Sequence, residues 1–205
     1  MDKRPAFDAI LFDLGGVLIE LAGVERMLEW CPELGTTEEL WRRWLRSPAV
    51  RRYETGAASS EEFAREIVRE FDLPVTAETF IAAFEFWPRA LYPGVADLLA
   101  GLAPHYRLAS VSNTNALHWA RFRHDWSLDA CFHHNFPSYQ VGKLKPDADY
   151  FDHVMAVLGV ARERILFVDD NRINVDAAAS FGLTARHVRN FTALAPVLAE
   201  LGVTD

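Results

Sequence analysis

The chain has 205 residues, of which half are hydrophobic and 12% are aromatic, so it can form a sizeable core. A net charge of −8 argues against a broad nucleic-acid-binding surface. No apolar run approaches the roughly 18 residues that a membrane span needs, and Met1–Pro5 lacks the pattern of a signal peptide. Cys31 and Cys131 show no metal-type spacing, so we expect reduced thiols in a cytoplasmic protein without nucleic-acid or membrane partners.

The first predicted element is a buried strand that ends at Phe12. A short apolar run, 10–12, is followed by Asp13 and then by Gly15 and Gly16, which let the backbone turn or approach a ligand closely. Asp13 would then lie at the carboxyl end of a strand, where open α/β sheets bind their ligands. Taken alone, the motif is better explained by an aspartate that caps a turn.

The next segment, 18–90, has a helical character throughout. The predicted helices are 25–30, 37–45 ending at Ser47-Pro48, a third from Ser60 to Leu73-Pro74, and 76–87. Pro88 ends or kinks the last of them. Four helices without an intervening strand predict a small bundle inserted after the first strand.

From Tyr92 onward, helices and strands alternate. The predicted helices are 95–102, 116–123, 147–158, 174–181 and 193–201, and the predicted strands are 106–111, 130–136, 165–168 and 184–188. Repeated β-then-α units indicate an α/β fold with a Rossmann-like parallel sheet and helices on both faces. We therefore predict a core domain of residues 1–17 and 91–205, with 18–90 as a helical cap domain.

Polar residues follow the predicted strands directly. Asp13, Ser112-Asn113 and Asp169-Asp170 each come after an apolar strand, so a parallel sheet would bring them to one edge. Lys145, one of only three lysines, precedes a helix and can bring an ammonium group there. Clustered carboxylates without thiol or imidazole neighbours suit Mg²⁺, and a carboxylate can attack phosphorus while hydroxyl, amide and ammonium groups neutralise the phosphoryl oxygens.

These segments resemble, in chain order, the four motifs of the haloacid dehalogenase-like (HAD) superfamily, and the resemblance covers nearly the whole chain. The matching segments are Asp13-Leu14-Gly15-Gly16-Val17, Ser112-Asn113, Lys145-Pro146 and Asp169-Asp170. Within the superfamily, 111–118 and 167–171 are most similar to α-D-glucose-1-phosphatase-like sugar phosphatases. The resemblance implies a Mg²⁺-dependent phosphatase that acts on a small phosphorylated metabolite through an aspartyl-phosphate intermediate.

The resemblance also implies a nucleophile and a metal site. Asp13 would be the nucleophile and a Mg²⁺ ligand, and the backbone carbonyl of Gly15 would be another ligand. Asp169 and Asp170 would hold the metal, Asp170 by direct coordination and Asp169 through water. Asn174, one helical turn further on, would orient them.

The implied phosphate site consists of three residues. Ser112 would hold the phosphoryl group, with the amide of Asn113 helping. Lys145 would bind both the phosphate and Asp13, whose charged form a neighbouring ammonium favours.

Gly15 departs from the family pattern. Most phosphatases of the family carry a second aspartate at this position, which protonates the leaving group and then activates water. Its absence slows turnover, because general acid–base catalysis typically contributes about 10²–10⁴-fold. A cap residue or a water molecule could replace it. Glu20 and His118 are weak candidates, and a surface or capping role explains each of them better.

Two alternatives remain open at this stage. A metal-independent 2-haloacid dehalogenase also lacks the second aspartate, although adjacent acids such as Asp169 and Asp170 would repel its carboxylate substrate. A non-catalytic relative would bind a phosphorylated ligand or a protein partner. The sequence leaves the substrate undetermined and allows either a monomer or a homodimer.

Overall fold

The computed structural model describes residues 6–204. Met1–Pro5, for which the sequence predicts no signal peptide, lie outside this range. Seven strands lie within the described residues: β1 (Ala9–Phe12), β2 (Ile19–Leu21), β3 (Pro88–Leu91), β4 (Arg107–Ser112), β5 (His134–Pro137), β6 (Ile165–Asp169) and β7 (Thr184–His187).

Eleven α-helices and three short 3-10 helices connect these strands within the same range. The first five helices are α1 (Gly23–Trp30), α2 (Thr37–Arg46), α3 (Pro48–Glu54), α4 (Ser60–Glu70) and α5 (Ala77–Phe84). The others are α6 (Val95–Leu102), α7 (Ala116–His124), α8 (Ser138–Val141), α9 (Ala148–Leu158), α10 (Arg172–Ser180) and α11 (Phe191–Glu200). The 3-10 helices are Pro32–Leu34, Leu128–Cys131 and Arg162–Arg164. Among the described residues, no helix is long and apolar enough to cross a membrane.

A parallel sheet of five strands, in the spatial order β5-β4-β1-β6-β7, forms the centre of the structure. The side chains of the central strand β1 alternate between the two faces of the sheet, and both sets are buried. Ile10 and Phe12 pack into one hydrophobic cluster, whereas Ala9 and Leu11 pack into another. The predicted α/β fold with helices on both faces of a parallel sheet is confirmed.

The helices α1 to α5 surround a separate aromatic core. Tyr53 stacks on Phe63 with 4.3 Å between ring centroids, and Phe84 lies 5.1 Å from Phe63. Trp44 contacts the same group of rings and is almost fully buried. The buried members of this cluster all lie between Met27 and Phe84, inside the predicted cap segment. We refer to residues 18–90 as the cap, and the domain boundary itself remains a prediction.

Two features of the cap differ from the prediction. Pro48 begins helix α3 rather than only ending α2, since proline suits the first helical turn and Ser47 caps it by accepting a hydrogen bond from the Val50 amide. Strands β2 and β3 pair antiparallel where the chain enters and leaves the cap. Within the described residues, no strand intervenes between α1 and α5, as predicted, but the helical character predicted from residue 18 onward was wrong for 19–21. Segments of three and four residues are too short to show a period.

Candidate active site

The sheet brings the predicted site residues to its carboxyl edge. Asp13 follows β1, Ser112 ends β4, and Asp169 ends β6 directly before Asp170. Lys145 reaches the same place from the loop before α9. Six of these residues line one cavity between the sheet and the cap: Asp13, Gly15, Ser112, Asn113, Lys145 and Asp170. Asp169 is fully buried next to them.

Lys145 connects the carboxylates at the centre of the site. Its Nζ lies 2.7 Å from Asp13 Oδ1, from Asp169 Oδ2 and from the Val111 carbonyl oxygen, so all three ammonium hydrogens have an acceptor. Only 1% of the residue is exposed. Burial alone would lower the pKa of Lys145, but the Asp13 and Asp169 carboxylates raise it above its ordinary value. The ammonium therefore stays charged.

Asp13, Asp169 and Asp170 each offer a carboxylate oxygen within 4.8 Å of the others. The oxygens of Asp169 are already used: Oδ2 accepts from Lys145, and Oδ1 accepts from the Asn171 amide at 2.8 Å. Asn174 Nδ2 lies 3.1 Å from both of these oxygens. By contrast, no side chain within the described residues donates a hydrogen bond to the Asp170 carboxylate. Asp170 is thus better placed than Asp169 to bind a cation directly.

The site carries more negative than positive charge. Burial raises the pKa of Asp13 to about 7, with Lys145 opposing this rise and Asp169 adding to it. Burial also raises the pKa of Asp170 well above its ordinary value, and the charges of Asp13 and Asp169 add to that shift. A divalent cation would relieve this repulsion. The donor set fits a hard ion such as Mg²⁺, because it consists of oxygen atoms.

Gly16 permits the close approach of Asp170 to the first loop. Its φ angle is +78°, and a Cβ atom there would lie 2.2 Å from Asp170 Oδ2. At the neighbouring Gly15, a Cβ atom would lie 2.9 Å from Leu21 Cδ1. Leu21 of strand β2 therefore occupies the space that a longer side chain at position 15 would need.

The side chains of Ser112 and Asn113 differ in whether they already have hydrogen-bond partners. Ser112 is buried at the cavity wall, and no described side chain bonds to its hydroxyl group. The Asn113 side chain instead pairs with the backbone of Lys145: its Nδ2 donates to the Lys145 carbonyl oxygen, and its Oδ1 accepts from the Lys145 amide, both at 2.8 Å. We therefore expect the backbone N–H of Asn113, rather than its side chain, to meet a phosphoryl oxygen.

The opposite wall of the cavity is mostly apolar. It is formed by Leu21, Trp41, Trp44, Leu45, Phe84, Trp87, Pro88 and Phe122. Three residues that line the cavity carry a buried polar atom without a hydrogen-bond partner among the described residues: Trp87 Nε1, Thr114 Oγ1 and Asn174 Oδ1. Such atoms are rare in folded proteins, so these three are available to a ligand or to water in the cavity.

His118 and Glu20 are poorly suited to proton transfer. The Nε2 of His118 donates to the Phe84 carbonyl oxygen at 2.7 Å, which leaves Nδ1 to accept from the Asn115 side-chain amide at 3.2 Å. Burial lowers the pKa of His118 to about 4, so the ring is neutral and attaches α7 to the cap. Glu20 lies outside the cavity lining, 3.7 Å from Arg89.

Sequence reasoning missed Glu54. This residue ends helix α3 in the cap and is only 7% exposed, yet it lines the same cavity as Asp13. The local sequence Arg52-Tyr53-Glu54-Thr55 reads as an ordinary exposed helix end. Helix α3 carries a single aromatic residue, Tyr53, so no local spacing marks Glu54 as buried.

A family model described as haloacid dehalogenase-like hydrolase matches residues 7–182. The chain belongs to this family. The HAD family predicted from the four motifs is therefore confirmed, and the resemblance to its sugar phosphatases stays a prediction.

Three characterised proteins resemble this HAD chain. A sesquiterpene phosphatase of Aspergillus oryzae is 24% identical over 203 residues, which cover 95% of this chain and 96% of that protein. D-ribitol-5-phosphate phosphatase of Bacteroides thetaiotaomicron is 26% identical over 186 residues, covering 84% and 87%. Flavin mononucleotide hydrolase 1 of Arabidopsis thaliana is 30% identical over 156 residues, which cover 74% of this chain but only 61% of that protein.

Solved HAD structures share the fold. A predicted HAD-like hydrolase of Porphyromonas gingivalis superposes with a TM-score of 0.78 at 27% identity, covering 98% of this chain and all of that one. A HAD enzyme of Bacteroides thetaiotaomicron, in complex with magnesium and inorganic phosphate, superposes with a TM-score of 0.69 at 25% identity. That match covers 89% of this chain and 94% of the other.

Proposed function

We propose that this protein is a Mg²⁺-dependent phosphatase that hydrolyses a small phosphorylated metabolite through an aspartyl-phosphate on Asp13. One observation carries the proposal: Asp13 is held by the Lys145 ammonium at 2.7 Å, in a group of three carboxylates that can share a metal ion. Three relatives named as phosphatases or as a flavin mononucleotide hydrolase support it.

The metal-binding residues in this proposal are Asp13, Asp170 and the backbone carbonyl of Gly15. Asp169 acts through water, because its oxygens already accept hydrogen bonds from Lys145, Asn171 and Asn174. Bound Mg²⁺ would neutralise charge on the carboxylates and on the phosphoryl oxygens. The related Bacteroides structure with magnesium and phosphate is consistent with this choice of ion.

The remaining residues position the reacting groups. Lys145 holds one oxygen of Asp13, so the other oxygen can face the phosphorus atom of the substrate. The Ser112 hydroxyl and the Asn113 backbone N–H donate hydrogen bonds to the phosphoryl oxygens. Donors that are already in place stabilise the charge on these oxygens in the transition state. The Asp13 oxygen then forms a bond to phosphorus as the ester oxygen leaves, and water later releases phosphate from Asp13.

The apolar cap wall indicates the chemistry of the leaving group. Trp41 and Trp87 are half-buried and present apolar faces to the cavity, and Trp44 and Phe84 are almost fully buried in the same wall. This wall therefore offers few hydrogen-bond partners to the hydroxyl groups of a sugar. The motif resemblance predicts a sugar phosphate. The cap wall instead favours a phosphate ester whose leaving group is largely apolar or aromatic over a sugar phosphate.

The two alternatives fit the site less well. A 2-haloacid substrate would place its own carboxylate beside Asp13 and Asp170, in a site that already has three acids and one lysine. A purely binding protein has no need for a nucleophile held by a buried ammonium. Neither alternative accounts for the oxygen-only cluster.

A phosphate-release assay with Mg²⁺ and with EDTA tests the proposal. We expect Mg²⁺-dependent release from an aryl phosphate and from a prenyl monophosphate, with a higher kcat/KM for these than for glucose 1-phosphate or ribitol 5-phosphate. Loss of release in EDTA should be reversed by added Mg²⁺. Metal-independent halide release from 2-chloropropionate would contradict the proposal, and so would the absence of turnover on all the phosphates.

A further inference from the structure

The site lacks a proton carrier where the family usually has one. Position 15 is a glycine, and Leu21 fills the neighbouring space, with its Cδ1 only 2.9 Å from where a Cβ would lie. An alkoxide leaving group nevertheless needs a proton when its bond to phosphorus breaks. The proton donor must therefore come from another part of the cavity.

Five ionisable side chains line the cavity among the described residues: Asp13, Glu54, His118, Lys145 and Asp170. In the proposed function, Asp13 is the nucleophile, Lys145 holds Asp13 in place, and Asp170 is a metal ligand. Both ring nitrogens of His118 are engaged, one with the Phe84 carbonyl oxygen. Glu54 is the one that remains.

The Glu54 side chain is held firmly but incompletely. Trp44 Nε1 donates to its Oε1 at 3.3 Å. No described residue donates to the other carboxyl oxygen, Oε2. The carboxyl group thus has one oxygen fixed in place and one available to a substrate or water.

The backbone of Glu54 is tied to the loop that follows β4 and carries Asn113 and Thr114. The Ser138 hydroxyl lies 2.6 Å from the Glu54 carbonyl oxygen, and the same hydroxyl accepts a hydrogen bond from the Thr114 amide at 2.9 Å. Thr114 follows Ser112 and Asn113 directly. One turn before Glu54, Arg51 forms an ion pair with Asp147 of the core. These contacts fix the end of α3 relative to the site residues of the core.

From this placement we infer that Glu54 is the general acid and base of the reaction, supplied by the cap in place of a side chain at position 15. This inference rests on the proposed phosphatase function. In the first step, an Asp13 oxygen bonds to phosphorus, the ester bond breaks, and Glu54 gives its proton to the leaving oxygen. In the second step, water attacks phosphorus, its proton passes to Glu54, and phosphate leaves Asp13.

The electrostatics of the cavity agree with this role. Burial raises the pKa of Glu54 to about 7, and the Trp44 hydrogen bond and the Lys145 charge oppose the rise. Asp13 raises the pKa further, and Arg51 lowers it. A pKa near the working pH lets one group both give and take a proton.

The test compares Glu54→Gln with the native enzyme on two substrates, an aryl phosphate with a good leaving group and an alkyl phosphate with a poor one. We expect kcat/KM for the alkyl phosphate to fall by about 10²–10⁴-fold and that for the aryl phosphate to fall by far less. The native enzyme should lose alkyl-phosphate activity above about pH 7, where Glu54 is ionised, and the variant should lack this limb. Glu70→Gln is the matched control, because this cap carboxylate bonds to Ser47 outside the cavity lining.

A second variant keeps the carboxyl group. Trp44→Phe removes the hydrogen bond that favours ionised Glu54, so the high-pH limb should move to higher pH. Equal losses on both substrates in Glu54→Gln, or an unmoved limb in Trp44→Phe, would overturn the role of Glu54 alone. A native enzyme that releases phosphate from neither substrate would overturn the proposed function, and this inference with it.

Discussion

Replacing Asp13 with asparagine is expected to lower kcat/KM for phosphate release by on the order of 10⁴- to 10⁶-fold, as for other covalent nucleophiles. Asparagine has nearly the same shape as aspartate, and its carbonyl oxygen can still accept from Lys145. It provides neither an anionic nucleophile nor a good metal ligand. Initial rates on an aryl phosphate at saturating Mg²⁺ measure the effect.

The matched control for this prediction is Asp152→Asn. Asp152 is an exposed carboxylate that forms an ion pair with Arg162 at 3.3 Å, and neither residue lines the cavity. Its replacement should leave kcat/KM unchanged and stability nearly so. Substantial residual activity in Asp13→Asn, with a folded protein and no contaminating phosphatase, would show that another group attacks phosphorus.

Replacing Lys145 with methionine is expected to reduce the free energy of unfolding by about 3–5 kcal/mol. Methionine fills a similar volume but leaves the buried Asp13 and Asp169 carboxylates without their shared ammonium. The Val111 carbonyl oxygen also loses its donor. Urea unfolding without added metal measures the change, and it is a large share of the 5–15 kcal/mol typical of a domain.

Lys143→Met is the matched control, two residues away. The Lys143 ammonium is partly exposed and lies 3.7 Å from Asp149, so its removal should change stability by less than about 0.5 kcal/mol. In the double variant Lys145→Met/Asp13→Asn, one unpaired charge is gone, and part of the lost stability should return. Equal unfolding midpoints for the two lysine variants would contradict the central role of Lys145.

The core could be predicted because its signals are local. Each β-then-α unit is visible in the sequence as an apolar run followed by a helical pattern. A parallel sheet then brings the carboxyl ends of all its strands to one edge. Asp13, Ser112 and Asp170 could therefore be placed together before any contact was known. The choice between Asp169 and Asp170 as the direct metal ligand also came from the family resemblance, and the hydrogen bonds of Asp169 agree with it.

The cap was harder to predict because its functional contacts are tertiary. Glu54 meets Ser138 across 84 positions of sequence, and no local pattern records that contact. His118 appeared as a surface or capping residue, whereas its ring is buried against Phe84 of the cap. The short strands β2 and β3 depend on pairing with each other rather than on their own periodicity.

Phosphorylation of Asp13 is the central claim, and rapid acid quenching during turnover tests it most directly. The quenched protein is digested, and the peptide that contains Asp13 is examined by mass spectrometry. We predict a phosphoryl group on Asp13 in the native enzyme, at higher occupancy in Glu54→Gln if this variant slows hydrolysis of the intermediate. Steady phosphate release with an unmodified Asp13 peptide, or with the phosphoryl group on Ser112, would contradict the mechanism.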